Sequence, residues 1–133
     1  MMQARNPTSH QPIVLVVDDD PAVCSSLKFS LELEGFAVRT YSDAATVLGS
    51  TDVGSAQCLV VDYRLPGMNG LQLLQELRAR AIVTPAILIT SHPSAVLSHA
   101  AARAGISIVE KPLLGNALGE SVHHACKGER AHR

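Results

Sequence analysis

The chain has 133 residues, of which 47% are hydrophobic and 17% are charged, and its formal net charge is −1 at pH 7. This length and balance suit a single folded domain that buries its own core, and they exclude a disordered chain. The nearly neutral charge excludes the strongly basic footprint that favours binding to nucleic acid or to an acidic membrane surface.

Runs typical of buried strands alternate along the chain with runs in which apolar residues recur at helical spacing. Continuous apolar runs predict central parallel strands, whereas apolar residues three and four positions apart predict amphipathic helices. The predicted strands cover residues 13–17, 36–41, 59–61, 85–90 and 106–109. The predicted helices cover residues 21–34, 43–49, 71–80, 94–104 and 114–126.

Local signals mark the turns between these elements. Asp20 suits the N-cap of the first helix, because Pro21 after it suits the first helical turn. A tight turn follows the third strand, where Pro66 fixes φ and Gly67 and Gly70 are free to take positive φ.

The fivefold alternation of strand and helix predicts the fold class. Such a rhythm implies parallel pairing through right-handed crossovers, and therefore an α/β protein with a three-layer, doubly wound, five-stranded parallel sheet. We expect this domain to cover residues 13–126, after a flexible, polar N-terminal arm at 1–12. A polar, basic tail at 127–133 completes the chain, and no linker to a second domain is recognisable.

The cysteines and the hydropathy pattern indicate a compartment. Cys24, Cys58 and Cys126 lack the spacing of metal ligands, so we interpret them as reduced thiols that pack as small apolar groups. No signal peptide precedes the first predicted strand, and no apolar run approaches transmembrane length. These features predict a cytoplasmic protein that does not enter a membrane.

Polar side chains stand where four of the predicted strands end. Because the carboxyl ends of parallel strands meet at one edge of a sheet, side chains placed there converge on one crevice. The strand-end residues are Asp18 and Asp19 after the first strand, Asp62 after the third, Thr90 at the fourth and Lys111 after the fifth. The sequence therefore predicts one polar site at this edge.

The residue types at this edge indicate phosphoryl chemistry with a metal ion. Two carboxylates about 4 Å apart repel by roughly 4 kcal/mol at a surface-like dielectric, so three of them favour a hard divalent cation such as Mg²⁺. No His or Cys accompanies them, which argues against zinc. Asp62 is the candidate nucleophile, while the Thr90 hydroxyl and the Lys111 ammonium are candidates for contacting phosphoryl oxygens.

Taken together, these motifs resemble the receiver domain of two-component response regulators, which has a flavodoxin-like (CheY-like) fold. The matching segments are residues 17–20, Asp62 with the turn at 65–70, Thr90, and Lys111 with Pro112. The resemblance covers residues 13–126 and implies the strand order 2-1-3-4-5.

The resemblance also implies roles for individual residues. Asp18, Asp19 and Asp62 would hold Mg²⁺ together with the backbone carbonyl of Arg64, and Asp62 would accept a phosphoryl group. The donor would be a sensor histidine kinase or a phosphotransfer protein. The domain would not be an enzyme acting on other substrates, since it would catalyse at most its own phosphorylation and dephosphorylation.

The same resemblance implies how the domain would signal. A conformational change would reach the face formed by the last two helices and the fifth strand, where a downstream effector protein or an output domain would dock. The domain itself would contact neither nucleic acid nor a membrane, and a homodimer is left open.

The chain departs from the family pattern near the fifth strand. Receiver domains usually carry an aromatic residue three positions before the lysine, and here that position is Ile108. The connection from Gly105 to Lys111 is also about one residue shorter than in common members. Since Ile has no ring to swing, we expect the change to be carried by Thr90 and the loop at 91–94.

Three other interpretations compete with this one. The chain could be the receiver half of a longer DNA-binding transcription regulator. It could be a Mg²⁺-dependent phosphatase with an aspartyl nucleophile, although such enzymes commonly use a second Asp where this chain has Arg64. A flavodoxin-like mononucleotide-binding module would need a Gly-rich or hydroxyl-rich loop after the first strand, and three Asp residues stand there.

The histidines are interpreted mainly as solvated residues. His92 lies two positions after Thr90, near the predicted site, where it could influence hydrolysis of a phosphoryl group. His123 and His124 are expected to face solvent near the end of the last helix, where the helix dipole favours a cation.

Overall fold

The computed structural model describes residues 11–113 and 117–127, so residues 1–10 of the predicted arm (1–12) and residues 128–133 of the predicted tail (127–133) lie outside it. The strands are β1 (Ile13–Val17), β2 (Ala37–Tyr41), β3 (Cys58–Asp62), β4 (Ala86–Thr90) and β5 (Ser107–Glu110). The helices are α1 (Pro21–Leu33), α2 (Ala44–Leu48), α3 (Gly70–Ala79), α4 (Ala95–Arg103) and α5 (Ala117–Cys126). A short 3₁₀ turn covers Val53–Ser55. Residues 114–116, predicted to begin the last helix, also lie outside the described part.

All five strands pair in parallel in the order β2-β1-β3-β4-β5. This confirms both the predicted fold class and the strand order that the resemblance implied. The carboxyl ends of β1 and β3 are adjacent at the centre of the sheet, where the chain order reverses, and ligands of such sheets bind at this position.

The sheet has a helical layer on each face. Alternate residues of β1, β3 and β4 enter one core shared with α2, α3 and α4, or a second core shared with α1 and α5. Because both faces of these strands are buried, their sequences are continuous apolar runs with no alternation of polar residues. No helix in the described residues is both long enough and apolar enough to cross a membrane.

The turn after β3 confirms one glycine prediction and contradicts the other. Gly67 takes the expected positive φ of 87°. The prediction for Gly70 was wrong, because this residue begins α3 and its N–H donates to the Tyr63 carbonyl at 2.7 Å. A Cβ at position 70 would collide with the Asp62 carbonyl oxygen and come within 2.9 Å of the Val61 side chain. Glycine is therefore needed here for the close approach of two backbone segments.

This close approach leads to a stability prediction. We expect Gly70→Ala to lower the free energy of unfolding by about 1–3 kcal/mol or more, since the new methyl group overpacks a rigid backbone contact. Urea unfolding followed by circular dichroism would measure the loss. Gly54→Ala is the matched control, because a Cβ there meets nothing within 4 Å. Equal stabilities of the two variants would contradict the prediction.

Candidate functional site

The pairing of β1 with β3 brings three acidic residues together. Val17 and Val61 are partners in the register, so Asp18 and Asp62, which follow them, lie side by side. One carboxylate oxygen from each of Asp18, Asp19 and Asp62 lies within 4.8 Å of the other two. Asp18 and Asp62 are only 2% and 6% exposed, whereas Asp19 is exposed to solvent.

Asp18 is the most constrained of the three carboxylates. Its Oδ1 accepts the N–H of Asp20 at 2.9 Å, while its buried Oδ2 has no hydrogen-bond partner in the described part of the chain. Burial raises the pKa of the Asp18 carboxyl, and the nearby charge of Asp62 raises it further. This carboxylate therefore offers an oxygen whose bonding capacity the protein itself does not fill.

Lys111 supplies a positive charge to the cluster. Its Nζ lies 3.3 Å from Asp62 Oδ1 and 3.9 Å from Asp18 Oδ2, and its side chain is about one quarter exposed. The Lys111 backbone N–H donates to the Thr90 carbonyl at 2.9 Å, which holds the residue beside the end of β4. The cluster contains three carboxylates, of which Asp18 and Asp62 lie near this ammonium, so one positive charge does not balance the negative charge of the cluster.

Thr90 and Arg64 lie beside the cluster without contacting its carboxylates. Thr90 is buried at the end of β4, one residue beyond Ile89, which pairs with Asp62 in the sheet. Its hydroxyl accepts the N–H of His92 at 3.3 Å. Arg64 is exposed and, together with Asp19, lines an open depression of about 460 Å³ next to the cluster. The metal contact predicted for the Arg64 carbonyl remains a prediction.

Capping residues fix the helices that start at the site. Asp20 is the N-cap of α1, as predicted, and its Oδ1 accepts the Ala22 N–H at 2.9 Å. The capping box of α3 was not predicted; in it, Asn69 and Gln72 accept each other's backbone N–H groups at 2.8 and 2.9 Å. The Asn-x-x-Gln spacing is a recognisable signal of such a box.

The expectation for His123 is confirmed only in part: the residue lies in the last turn of α5 with a side chain that is 45% exposed, but that side chain also has partners in the fold. Its Nε2 lies 2.8 Å from Glu34 Oε1, and its ring packs against Phe36 with ring centroids 4.8 Å apart. Glu34 is the C-cap of α1, 89 positions earlier in the chain. The pair therefore joins two helices of the same layer, and His123 does not simply face solvent.

Comparisons with known proteins agree with this geometry. A family model described as the response regulator receiver domain matches residues 14–123. The chain is 36% identical over 131 residues to the C4-dicarboxylate transport transcriptional regulatory protein DctD of Pseudomonas aeruginosa, covering 93% of this chain and 27% of that protein. It is 41% identical over 100 residues to the transcriptional regulatory protein FixJ of Azorhizobium caulinodans, covering 74% and 47% respectively.

Solved structures give the same result. A CheY-like response regulator receiver domain protein from Methanospirillum hungatei matches with a TM-score of 0.79 at 26% identity, covering 89% of this chain and 95% of that one. The two curated relatives are much longer, since the chain spans only about a quarter to a half of their length.

The buried, unpartnered oxygen of Asp18 leads to a second stability prediction. In metal-free buffer at neutral pH, we expect Asp18→Asn to raise the free energy of unfolding by about 1 kcal/mol or more. The amide removes a buried charge, and its NH₂ group can donate to a neighbouring carboxylate. Denaturant unfolding in the presence of EDTA would measure the gain.

Asp19→Asn is the control for this prediction, because it removes a charge from the same cluster at an exposed position. We expect a smaller gain from it. If both variants gain the same stability, repulsion among the three carboxylates explains the effect without burial. If Asp18→Asn is less stable than the wild-type protein, the prediction is contradicted.

Proposed function

This chain belongs to the response regulator receiver domain family, and from that premise we propose that it accepts a phosphoryl group on Asp62 in a Mg²⁺-dependent reaction. The observation that carries the proposal is the packing of three carboxylates within 4.8 Å, with the Lys111 ammonium 3.3 Å from the Asp62 carboxylate. Acids of this density at the switch point of a doubly wound sheet fit a metal-assisted phosphoryl acceptor.

The residues present fit a magnesium ion. All the side-chain donors of the cluster are carboxylate oxygens, which Mg²⁺ prefers, and one of them, Asp18 Oδ2, is buried without a hydrogen bond. Asp18, Asp19 and Asp62 would hold the ion with the backbone carbonyl of Arg64. When bound, the ion would supply positive charge that offsets the carboxylates and attracts a phosphoryl oxygen.

Asp62 and Lys111 would have different roles in the proposed phosphoryl transfer. An Asp62 oxygen would form the new bond to phosphorus while the bond from phosphorus to the donor's leaving group breaks. Lys111, already beside Asp62, would pair with a phosphoryl oxygen and hold it in line. The Asp62 and Lys111 side chains would need to move only a short distance for these roles, because both already lie at the same edge of the sheet.

Thr90 would connect the site to the rest of the domain. Its hydroxyl now accepts the His92 N–H, and a rotation of the Thr90 side chain that lets the hydroxyl donate to a phosphoryl oxygen would break this contact. A change at Thr90 would therefore move the loop at 91–94 and the start of α4. Ile108, packed at the margin of the core under α4, cannot provide the ring rotation of the usual aromatic residue.

The partners follow from the same proposal. A sensor histidine kinase or a phosphotransfer protein would donate the phosphoryl group, and an effector protein or an output domain would respond to it. Because DctD and FixJ are named as transcriptional regulatory proteins and exceed this chain in length, the receiver half of a longer DNA-binding regulator is the alternative form. The free thiols at Cys24, Cys58 and Cys126 fit a reducing compartment such as the cytoplasm.

Phosphorylation can be tested directly. Incubation with Mg²⁺ and acetyl phosphate, followed by intact mass spectrometry, should show one phosphoryl adduct, which EDTA should prevent. Asp62→Asn should abolish the adduct because the nucleophilic oxygen is replaced by an amide. Asp20→Asn is the matched control and should keep it, since Asn caps a helix as well as Asp and position 20 lies outside the cluster.

An adduct that persists in Asp62→Asn would overturn the assignment of the acceptor. Continuous release of many phosphates per protein molecule, measured over the same period, would instead favour the aspartyl-nucleophile phosphatase.

The conformational response can be tested with beryllofluoride, a phosphoryl mimic. In the presence of Mg²⁺, we expect amide NMR shifts at residues 91–94 and along α4, because the Thr90 hydroxyl would exchange its contact with His92. Thr90→Ala should reduce these shifts while leaving those beside Asp62. Unchanged α4 amides in the wild-type protein would refute this route.

A further inference from the structure

The outer side of α4 and the neighbouring Gln75 of α3 form an open groove of about 740 Å³. Residues three, four and seven positions apart lie on one side of a helix. The α4 residues that line the groove with this spacing are Val96, His99, Ala100 and Arg103. The opposite side of α4 carries Leu97 and Ala101, which are buried in the core. The helix is therefore anchored on one side and presents a continuous stripe on the other.

The groove is lined by one large apolar side chain, that of Val96, and by a floor of three alanines. Val96 is 80% exposed and is among the most exposed large hydrophobic residues in the described part of the chain. Ala95, Ala100 and Ala104 also line the groove and carry only methyl groups. Small residues let the backbone of another helix come close, and Val96 then loses water from most of its surface on contact.

The charge of the groove has one sign. Its lining contains no acidic residue, whereas Arg103 and His99 are both exposed. Glu76, the acidic residue next to Gln75, already forms an ion pair with Arg80: the Arg80 Nε lies 3.2 Å from the Glu76 carboxylate. Arg103 has no ion-pair partner within the described ranges, so its guanidinium is available to a carboxylate from outside.

We propose that this α3–α4 groove binds an acidic amphipathic helix of a partner protein. Apolar residues of that helix contact Val96 and the alanine floor, and a flanking Asp or Glu pairs with Arg103. A helix fits better than an extended peptide, because the stripe follows two turns of α4 and no sheet edge lines the groove.

The groove differs from the output face that the family resemblance implies. That face joins α4 to β5 and α5, whereas this one lies on the α3 side of α4. The core that contains Leu97 and Ala101 also contains α3, while α5 packs on the opposite side of the sheet. The proposal makes no use of Asp62 chemistry, so the two can fail separately.

The test uses a synthetic amphipathic peptide of about fifteen residues, near the length at which isolated helices become marginally stable. Leu residues form one side of the peptide, and Glu residues flank them. The peptide is titrated into the ¹⁵N-labelled full chain in EDTA buffer without a phosphoryl donor, which keeps Asp62 chemistry out of the experiment. We expect saturable amide shifts at Gln75 and along residues 95–104.

Two variants make the test specific. Val96→Ser should weaken binding about tenfold, whereas Val83→Ser should not, because Val83 is similarly exposed (76%) but lies outside the groove. Arg103→Glu should weaken binding of the Glu peptide and strengthen binding of a Lys-flanked version. A variant that has lost its fold would bind both peptides weakly. A variant that now prefers the Lys-flanked peptide shows that position 103 forms an ion pair with the peptide.

Three results would overturn the proposal. The first is the absence of saturable shifts in α4, and the second is binding that Val96→Ser leaves unchanged. The third is self-association in sedimentation velocity that Val96→Ser abolishes, since a second copy of the chain would then be the occupant. Shifts confined to the exposed Phe29 and Leu33 of α1 count as the first result.

Discussion

The repulsion between the carboxylates of Asp18 and Asp62 is the constraint on which the rest of the site depends. Both groups are nearly buried and stand at the ends of adjacent strands, so the pairing of β1 with β3 holds them close together. Lys111 offsets part of this charge, yet Asp18 Oδ2 keeps no hydrogen bond within the described residues. A fold that holds such an arrangement loses some stability, and under the proposed function it gains a preformed place for a cation and an incoming phosphoryl group.

Backbone packing holds this arrangement rigid. The start of α3 lies so close to the Asp62 carbonyl that only glycine fits at position 70, and the Asn69–Gln72 capping box fixes the first turn of that helix. Strand β3 is therefore packed closely against the start of α3, while at the start of the loop after Thr90 the His92 N–H donates to the Thr90 hydroxyl at 3.3 Å.

The two sides of helix α4 have different surroundings. Leu97 and Ala101 fix its inner side to the core, and Ser94 caps its first turn directly after the Thr90 loop. Its outer side is a stripe of apolar and basic residues without acidic neighbours in the groove lining. The helix that follows the proposed switch loop is thus also the helix that carries the groove proposed above for a partner helix.

Short-range patterns in the sequence determined the fold class, the start of α1 and the position of each strand-end residue. Apolar runs, the Asp20 cap and the strand ending at Asp62 depend on neighbours a few positions away, so the amino-acid sequence alone is enough to predict them. The strand order came from resemblance, because local patterns do not specify which strands become neighbours. Only the tertiary structure decided that Asp18 Oδ2 has no hydrogen bond within the described residues, that a backbone approach requires Gly70, and that His123 pairs with Glu34. Each of these depends on distances between segments far apart in the chain, which sheet pairing and core packing set.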